Sequence, residues 1–298
     1  MSPRPIPRRH VLSGAAALAA GALFPGRVRA QPALDGLAEA FAAIEARAGG
    51  RLGVAVIETG NGATAGHRTD ERFALCSTFK LLLAAAVLKQ VELGRDSLDR
   101  RIPFTADQLV HHSPVTGRHA GGAGLTLEEL CAAAVTVSDN TAGNLLLVAA
   151  GGPPGLTAFV RALGDSVTRF DRIEPDLNEA TPGDPRDTTS PAAMAADVAA
   201  LVLGDALAPD SRERLKGWLL ATTTGADRLA AGLPDGWRLA HKTGTGGHGS
   251  TNDVGVLWPP QDRPPVVVAA YLTESVAPLA ERTAALAAVA EAVAAAIG

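Results

Sequence analysis

Apolar residues recur at helical spacing through the middle of the chain, whereas runs typical of strands occur near both ends. Residues 33–49 have apolar positions three and four apart and end in Gly49-Gly50, which predicts a helix with a glycine stop. The β-rich run 51–59 is followed by turn residues and predicts the start of a hairpin. Further helices are predicted over 77–92, 126–136, 139–150, 154–163, 190–203 and 209–220.

Three more strands are predicted over 237–244, 250–259 and 264–274, and an alanine-rich helix follows over about 279–297. This order indicates one sheet built from the two chain ends, with a helical domain inserted in the middle.

One loop interrupts the helical part. Residues 171–187 carry three prolines, one glycine and eight charged residues, and a loop of this length is typically functional or disordered. Arg172 and Asp187, near its two ends, could pair and close it. We interpret this loop as functional.

The first thirty residues have the pattern of an export signal. A basic start is followed by an apolar run over about 11–24, too short to anchor in a bilayer, and by the small-residue end Val28-Arg29-Ala30. We expect cleavage after Ala30, and no membrane anchor in the mature chain. Arg8-Arg9 favours the twin-arginine route, the alternative being an ordinary signal. The mature protein is expected to be periplasmic or secreted.

Charge excludes one class of partner. The chain has 27 basic and 31 acidic residues, and residues 1–30 hold five arginines and no acid, so the mature form has a net charge of −9. An acidic protein is a poor ligand for nucleic acid or an anionic membrane. Exported proteins can use disulfides, but we expect Cys76 and Cys131 to be free, buried thiols.

The scarcity of lysine draws attention to Ser77 and Lys80. The chain has four lysines, Lys80, Lys89, Lys216 and Lys242, against 23 arginines. A serine becomes a nucleophile when a neighbour takes its proton, and a residue three positions along a helix lies on the same face. Buried lysine loses its proton readily, whereas arginine stays charged. The spacing therefore predicts Lys80 as a base for Ser77, although Ser-x-x-Lys alone is more often a solvated helix face.

Two further motifs could complete such a site. Ser138-Asp139-Asn140 falls between two predicted helices, where a serine hydroxyl can point into a cleft; the alternative is that Ser138 and Asp139 only cap the next helix. Lys242-Thr243-Gly244 places a second scarce lysine in a predicted strand, and Gly244 would let a ligand approach the backbone closely.

Ser77-Thr78-Phe79-Lys80, Ser138-Asp139-Asn140 and Lys242-Thr243-Gly244, in this order, resemble the class A β-lactamases, which share these motifs with penicillin-binding proteins. The resemblance extends over about 33–295 and includes "SPVTGRH", "SDNTAGNLLL", "EPDLNEA" and "RDTTSPAAMA". It implies an α+β fold (α/β sandwich) with an antiparallel sheet of about five strands. The implied domains are an α/β domain of 31–68 and 219–298 and a helical domain of 69–218, with the active site between them.

The loop 171–187 distinguishes class A β-lactamases from penicillin-binding proteins. Glu174-Pro175-Asp176-Leu177-Asn178 is similar to the element with which class A β-lactamases position a water for deacylation, and it implies a cis Glu174–Pro175 peptide. The implied function is hydrolysis of penicillins and cephalosporins, and hence antibiotic resistance, by a monomer without cofactor or metal. Two alternatives stay open, a penicillin-binding transpeptidase or carboxypeptidase and a non-catalytic β-lactam sensor. Glu174 and Asn178 argue against both.

The resemblance also implies the role of each residue. Ser77 would be acylated, Lys80 and Glu174 are the candidate bases, and Ser138 would relay a proton to the leaving nitrogen. The backbone N–H groups of Ser77 and Thr245 would form the oxyanion hole. The implied substrate-binding residues are Asn140, Asn178, Arg228, Lys242, Thr243, Gly244, Thr245 and His112. A surface arginine without function is the alternative for Arg228.

The sequence departs from the family in two places. His112 stands where many members have an aromatic wall residue, and histidine titrates near pH 6.5. The pair His111-His112 is a weak candidate for metal binding, because no other histidine completes a known ligand spacing. In some relatives a cysteine after the KTG strand pairs with the cysteine before the nucleophile; residues 245–248 here are Thr, Gly, Gly and His. The resemblance therefore leaves the substrate range open and does not imply carbapenem hydrolysis.

Overall fold

The fold is described from a computed structural model that covers Met1 and residues 34–298; the export signal predicted for 1–30 lies outside this range, apart from Met1. The α-helices within it are α1 (Leu37–Ala48), α2 (Phe79–Glu92), α3 (Leu127–Thr136), α4 (Asn140–Ala149), α5 (Gly152–Leu163), α6 (Pro191–Val198), α7 (Pro209–Leu220) and α8 (Leu279–Ile297). The strands are β1 (Arg51–Glu58), β2 (Thr64–His67), β3 (Phe73–Ala74), β4 (Arg101–Ile102), β5 (Leu125–Thr126), β6 (Thr188–Thr189), β7 (Arg238–Thr245), β8 (Thr251–Trp258) and β9 (Val266–Thr273).

The main sheet joins the two ends of the described chain. Its order is β2-β1-β9-β8-β7, and all neighbouring strands are antiparallel. Val54 pairs with Ala270 where the two chain ends meet, and Lys242 pairs with Val254 at the β7 edge. The predicted α+β fold with a five-stranded antiparallel sheet is confirmed.

Two hydrophobic cores lie on the two faces of this sheet. One contains Phe41, Val268 and Leu286, and the other contains Leu82 and Tyr271. Because successive side chains of a strand point to opposite faces, β9 supplies both cores in alternation, which explains its unbroken apolar run.

α2 begins two residues after the candidate nucleophile, Ser77, and lies in the core on the helical side. Its residues 79–88 are all buried, including Lys80. Residues 34–298 belong to one compact unit, and their division into an α/β and a helical domain stays a prediction. Among these residues no single helix is long and apolar enough to cross a membrane; α4 and α5 meet that criterion only together, with a 74° bend.

The structure contains three local features that the pattern did not predict. Residues 199–203 form a π-helical turn, whereas the sequence predicts them as the end of one helix. The prediction missed this turn because apolar spacing over a single turn does not distinguish the two kinds of helix. The pairs β3–β6 and β4–β5 have two residues per strand, too few to show a period. β3–β6 matters for the site because it ties the segment before Ser77 to the end of the loop.

Two buried carboxyl groups face each other away from the main cleft. Asp165 and Asp197 line a common cavity, and an Oδ2 atom of each lacks a hydrogen-bond partner in the described structure. Burial, together with the charge of Asp165, raises the pKa of Asp197 from 3.8 to about 8. One proton held between the two groups would satisfy both oxygen atoms.

This pair predicts a pH-dependent stability. Between about pH 4 and pH 8 Asp197 is protonated when folded and ionised when unfolded, so the free energy of unfolding should fall as pH rises, by up to about 1.4 kcal/mol per pH unit. Denaturant unfolding at pH 5, 6, 7 and 8 measures this slope. Asp197→Asn should reduce the slope, and the exposed Asp205→Asn should keep it. An unchanged slope in Asp197→Asn would refute the assignment.

Candidate active site

The candidate nucleophile, Ser77, lies in the turn that immediately precedes α2. Residues 76–78 form a 3₁₀ turn that continues into the helix, and Cys76 adopts a positive φ of 44°. The hydroxyl of Thr78 donates to the carbonyl of Leu75 at 2.7 Å and steadies this turn. One turn later, Nζ of Lys80 lies 2.8 Å from Oγ of Ser77. The predicted contact between serine and lysine is therefore present.

Lys80 is a buried cation surrounded by oxygen atoms. Its side chain is 0% exposed. Besides Ser77, its Nζ donates to Asn140 Oδ1 at 2.6 Å, Glu174 Oε1 at 2.8 Å and the Ser138 carbonyl at 3.2 Å. Burial lowers the pKa of Lys80, while the charge of Glu174 opposes this shift. A lysine with a lowered pKa can exchange a proton with the serine beside it.

Glu174 is held from several sides. Its carboxylate is buried, with Oε1 3.4 Å from Oγ of Ser77, and Oε2 accepts a short hydrogen bond from Asn178 Nδ2. The backbone of Glu174 is fixed by Asn144 of α4, which accepts its N–H at 2.8 Å and donates to its carbonyl at 2.9 Å. The expected cis peptide between Glu174 and Pro175 is confirmed. Sequence reasoning missed Asn144.

The loop is closed as predicted. Nε of Arg172 lies 2.6 Å from Oδ2 of Asp187, and Oδ1 of Asp187 accepts the backbone N–H groups of Asp171 and Arg172. The carbonyl of Asp187 in turn accepts the N–H of Leu75 at 2.9 Å, two residues before the nucleophile. The end of the loop is therefore tied to the segment that carries Ser77.

Both interpretations of residues 138–140 apply, to different side chains. Asp139 caps α4 by accepting the N–H of Ala142 at 2.9 Å. Ser138 has a positive φ of 59°, and its hydroxyl accepts from Nζ of Lys242 at 3.1 Å. Ser138 therefore belongs to the cleft, and Asp139 to the scaffold.

The strand β7 forms the opposite wall. Lys242 is 0% exposed, and burial, followed by the charges of Lys80 and Arg228, lowers its pKa well below the usual value. A Cβ on Gly244 would lie 3.0 Å from the carbonyl oxygen of Leu75. The close approach that Gly244 permits is thus made by the segment before the nucleophile, which brings β7 against the start of α2.

Arg228 is not a surface arginine. Its side chain is buried, and it donates to the carbonyls of Gly244 and Asn252 and to Oγ1 of Thr245, each at 2.7 Å. Its Nε has no partner. The guanidinium therefore braces the end of β7 at the cleft.

These elements enclose a cleft of about 320 Å³. Nine of the twelve predicted site residues line it: Ser77, His112, Ser138, Asn140, Asn178, Arg228, Thr243, Gly244 and Thr245. Lys80, Glu174 and Lys242 lie buried behind this wall, in contact with Ser77 or Ser138. Sequence reasoning missed His111 and Thr224, which also line the cleft; Oγ1 of Thr224 lies 2.7 Å from Oγ1 of Thr243.

The remaining sequence features are placed as follows. His112 is exposed on the cleft wall with a positive φ of 62°, and its Nε2 lies 3.0 Å from the carbonyl of Val137. Cys76 and Cys131 are free and buried, and burial raises the pKa of the Cys76 thiol to about 12. Within the described range, no group of three His, Cys, Asp or Glu side chains is placed to hold a metal ion.

Comparisons with known proteins agree with this geometry. A model described as "Beta-lactamase enzyme family" matches residues 36–297. β-Lactamase AST-1 of Nocardia asteroides is 52% identical over 235 residues, which cover 79% of this chain and 75% of the relative. β-Lactamase L2 of Stenotrophomonas maltophilia is 50% identical over 232 residues, which cover 78% and 76%.

The solved structure of the last common ancestor of Gram-negative bacteria (GNCA4) class A β-lactamase superposes with a TM-score of 0.86 at 58% identity, over 88% of this chain and 100% of that one. The chain therefore belongs to the class A β-lactamases, a family of serine hydrolases.

Proposed function

We propose that this β-lactamase opens the lactam ring of penicillins and cephalosporins through an acyl-enzyme on Ser77, and that a water activated by Glu174 releases the product. The observation that carries the proposal is the position of Lys80. Its Nζ lies 2.8 Å from both Ser77 Oγ and Glu174 Oε1, and these two oxygen atoms are 3.4 Å apart. One nucleophile thus lies within reach of two groups that can accept its proton.

Acylation begins when Oγ of Ser77 attacks the lactam carbonyl carbon. The serine proton passes to Lys80, or to Glu174 through a water, and both remain candidates for this step. The backbone N–H groups of Ser77 and Thr245 stabilise the negative charge on the carbonyl oxygen; removal of one such donor typically costs on the order of 10²–10³ in rate.

Ring opening then requires a proton on the departing nitrogen. Ser138 is the proposed donor, since its hydroxyl faces the cleft and lies 3.1 Å from Nζ of Lys242. The carbon–nitrogen bond breaks, the nitrogen takes the proton from Ser138, and the acyl group stays on Ser77. Lys80 and Lys242, which flank Ser138, can replace that proton.

Deacylation uses the contacts of the Glu174 carboxylate with Ser77 and Asn178. Glu174 removes a proton from a water held with Asn178, and the resulting hydroxide attacks the ester carbonyl carbon. The bond between this carbon and Oγ of Ser77 then breaks, and Oγ regains a proton from Glu174 or Lys80, which both lie within reach of it. The buried position of Glu174 and its backbone clamp to Asn144 fix the direction of the base. This step separates a lactamase from a protein that is acylated once and remains so.

Substrate recognition is assigned to the two walls of the cleft. Asn140 and the strand at Gly244 bind the amide side chain of the substrate. Thr243, Thr245 and Arg228 bind its carboxylate, with the charge of Lys242 beside them. His112 takes the place of an aromatic wall.

The cellular setting is part of the same proposal. The first thirty residues are a twin-arginine export signal, and the mature protein acts as a monomer in the periplasm or outside the cell, where β-lactams reach it first. The composition of residues 1–30 supports this assignment.

A chromogenic cephalosporin tests the function directly. The purified mature chain is expected to convert many equivalents of substrate, because each deacylation frees Ser77 for another cycle. Ser77→Ala, which lacks the nucleophile, should abolish this activity. A single burst of one equivalent followed by no further colour would instead identify a penicillin-binding or sensor protein.

A further inference from the structure

A buried carboxylate lies behind the cleft wall that carries Arg228. Asp253 of β8 is directly opposite Thr243 of β7, and its side chain is 0% exposed. Its two oxygen atoms lie 2.8 and 3.0 Å from Nδ1 of His241, and Oδ2 also accepts the N–H of Leu229 at 3.3 Å. Asp253 therefore joins β7 to the segment that begins at Arg228.

Arg228 has no contact ion pair of its own among the described residues. Its guanidinium contacts two carbonyl oxygens and one hydroxyl, all neutral, and its Nε is unpartnered. Burial lowers the pKa of Arg228, and Asp253 is the strongest nearby charge that opposes this effect. The charge of Asp253 thus stabilises the Arg228 cation without a direct ion pair, so the guanidinium stays available for an anion in the cleft.

The same carboxylate acts on the second buried cation. Burial and the positive charges of Lys80 and Arg228 lower the pKa of Lys242, and the negative charge of Asp253 again opposes the shift. His241 immediately precedes Lys242 in β7, so the contact between His241 and Asp253 also fixes this part of the strand.

We infer that Asp253, held by His241, is a positioning residue for recognition of the substrate carboxylate, because it fixes the backbone beside Arg228 and places a negative charge near the two buried cations Arg228 and Lys242. The inference rests on the proposed role of these two cations in carboxylate binding. A hydrogen on Nδ1 of His241 can be donated to both oxygen atoms of Asp253, which fixes the orientation of the carboxylate. Such outer hydrogen bonds commonly orient the groups that contact a ligand.

The test is a double-mutant cycle between Asp253→Asn and Arg228→Ala, with kcat and KM measured for a penicillin that carries its free carboxylate. Asp253→Asn keeps the shape and removes the charge. Alone, it should raise KM roughly tenfold, with a much smaller change in kcat, the size expected for coupled residues in one hydrogen-bond network. In the Arg228→Ala background the effect of Asp253→Asn should be clearly smaller, because only its action on Lys242 remains. Asp197→Asn removes a buried carboxylate from a different cavity and should leave KM unchanged.

The outcomes separate this inference from the proposed function. If Arg228→Ala raises KM and Asp253→Asn does not, the inference is overturned and the function stands. If Arg228→Ala leaves KM unchanged, the carboxylate role of Arg228 fails together with the inference, while turnover of the chromogenic substrate still tests the activity.

Two variants at His241 cover the case in which Asp253→Asn does not fold. His241→Leu removes the hydrogen bond to Asp253 and should raise KM in the same direction. His241→Asn can offer an amide N–H at the position of Nδ1 and should restore KM toward the wild-type value. A folded His241→Leu variant with wild-type KM would overturn the inference.

Discussion

Replacement of Glu174 by alanine is expected to leave an enzyme that reacts with a penicillin once and then stays acylated on Ser77. The buried carboxylate lies 3.4 Å from Oγ of Ser77, where it can take a proton from a water that attacks the ester. Loss of a positioned general base typically costs about 10²–10⁴ in rate. Acylation should be slowed less than deacylation, since Lys80 keeps its contact with Ser77, so the intermediate accumulates.

Mass spectrometry of the intact protein detects this state as an added mass equal to that of the penicillin. Asp176→Ala is the matched control, because Asp176 is an exposed acid in the same loop, two residues away. The control should turn over normally and show no lasting adduct. Undiminished turnover by Glu174→Ala would contradict the assigned role.

The parts of the site that could be predicted from the sequence are those fixed by local geometry. Helical spacing alone places Lys80 beside Ser77. The resemblance to a family placed Glu174 and Asn178 together in one loop, and the opposite charges of Arg172 and Asp187 indicated its closure.

Other contacts have no local signal. Asn144 fixes the backbone of Glu174 from thirty residues away, yet it stands in an apolar helix where an asparagine carries no recognisable pattern. His241 and Asp253 lie in strands that are buried along most of their length, and their contact depends on the register of β7 and β8. Such contacts become visible only when the sheet has been assembled, because they depend on which strands are neighbours.

In the fold, too, features with a local signal could be predicted from the sequence, whereas those that depend on tertiary packing could not. Boundaries of helices and of the long strands follow from apolar period and from glycine stops, and most agree with the sequence prediction within two residues. The two-residue pairs β3–β6 and β4–β5 form because tertiary packing brings their segments together. A segment of two residues is too short for its composition to specify a strand.

Lys80→Arg is expected to slow acylation by about 10²–10⁴-fold, although it keeps the positive charge, because arginine stays protonated and cannot accept the serine proton. Burial lowers the pKa of Lys80, which favours its neutral form relative to an exposed lysine. The acylation rate is measured in a single turnover with enzyme in excess over a chromogenic cephalosporin. Lys80→Met, which has a similar length and no proton acceptor, separates this effect from the larger size of arginine.

Lys89→Arg provides the matched control on the same helix. Lys89 is partly exposed and pairs with Glu92 at 2.9 Å, so arginine can replace it without loss of function. Lys80→Arg and Lys80→Met should both fail to acylate at the normal rate, while Lys89→Arg should match the wild type. If Lys80→Arg acylates normally, the position needs only a charge, and the base for acylation must be Glu174 acting through water. Failure of both Lys80 variants instead indicates that a proton acceptor is needed beside Ser77, and this requirement explains why a chain rich in arginine has a lysine at position 80.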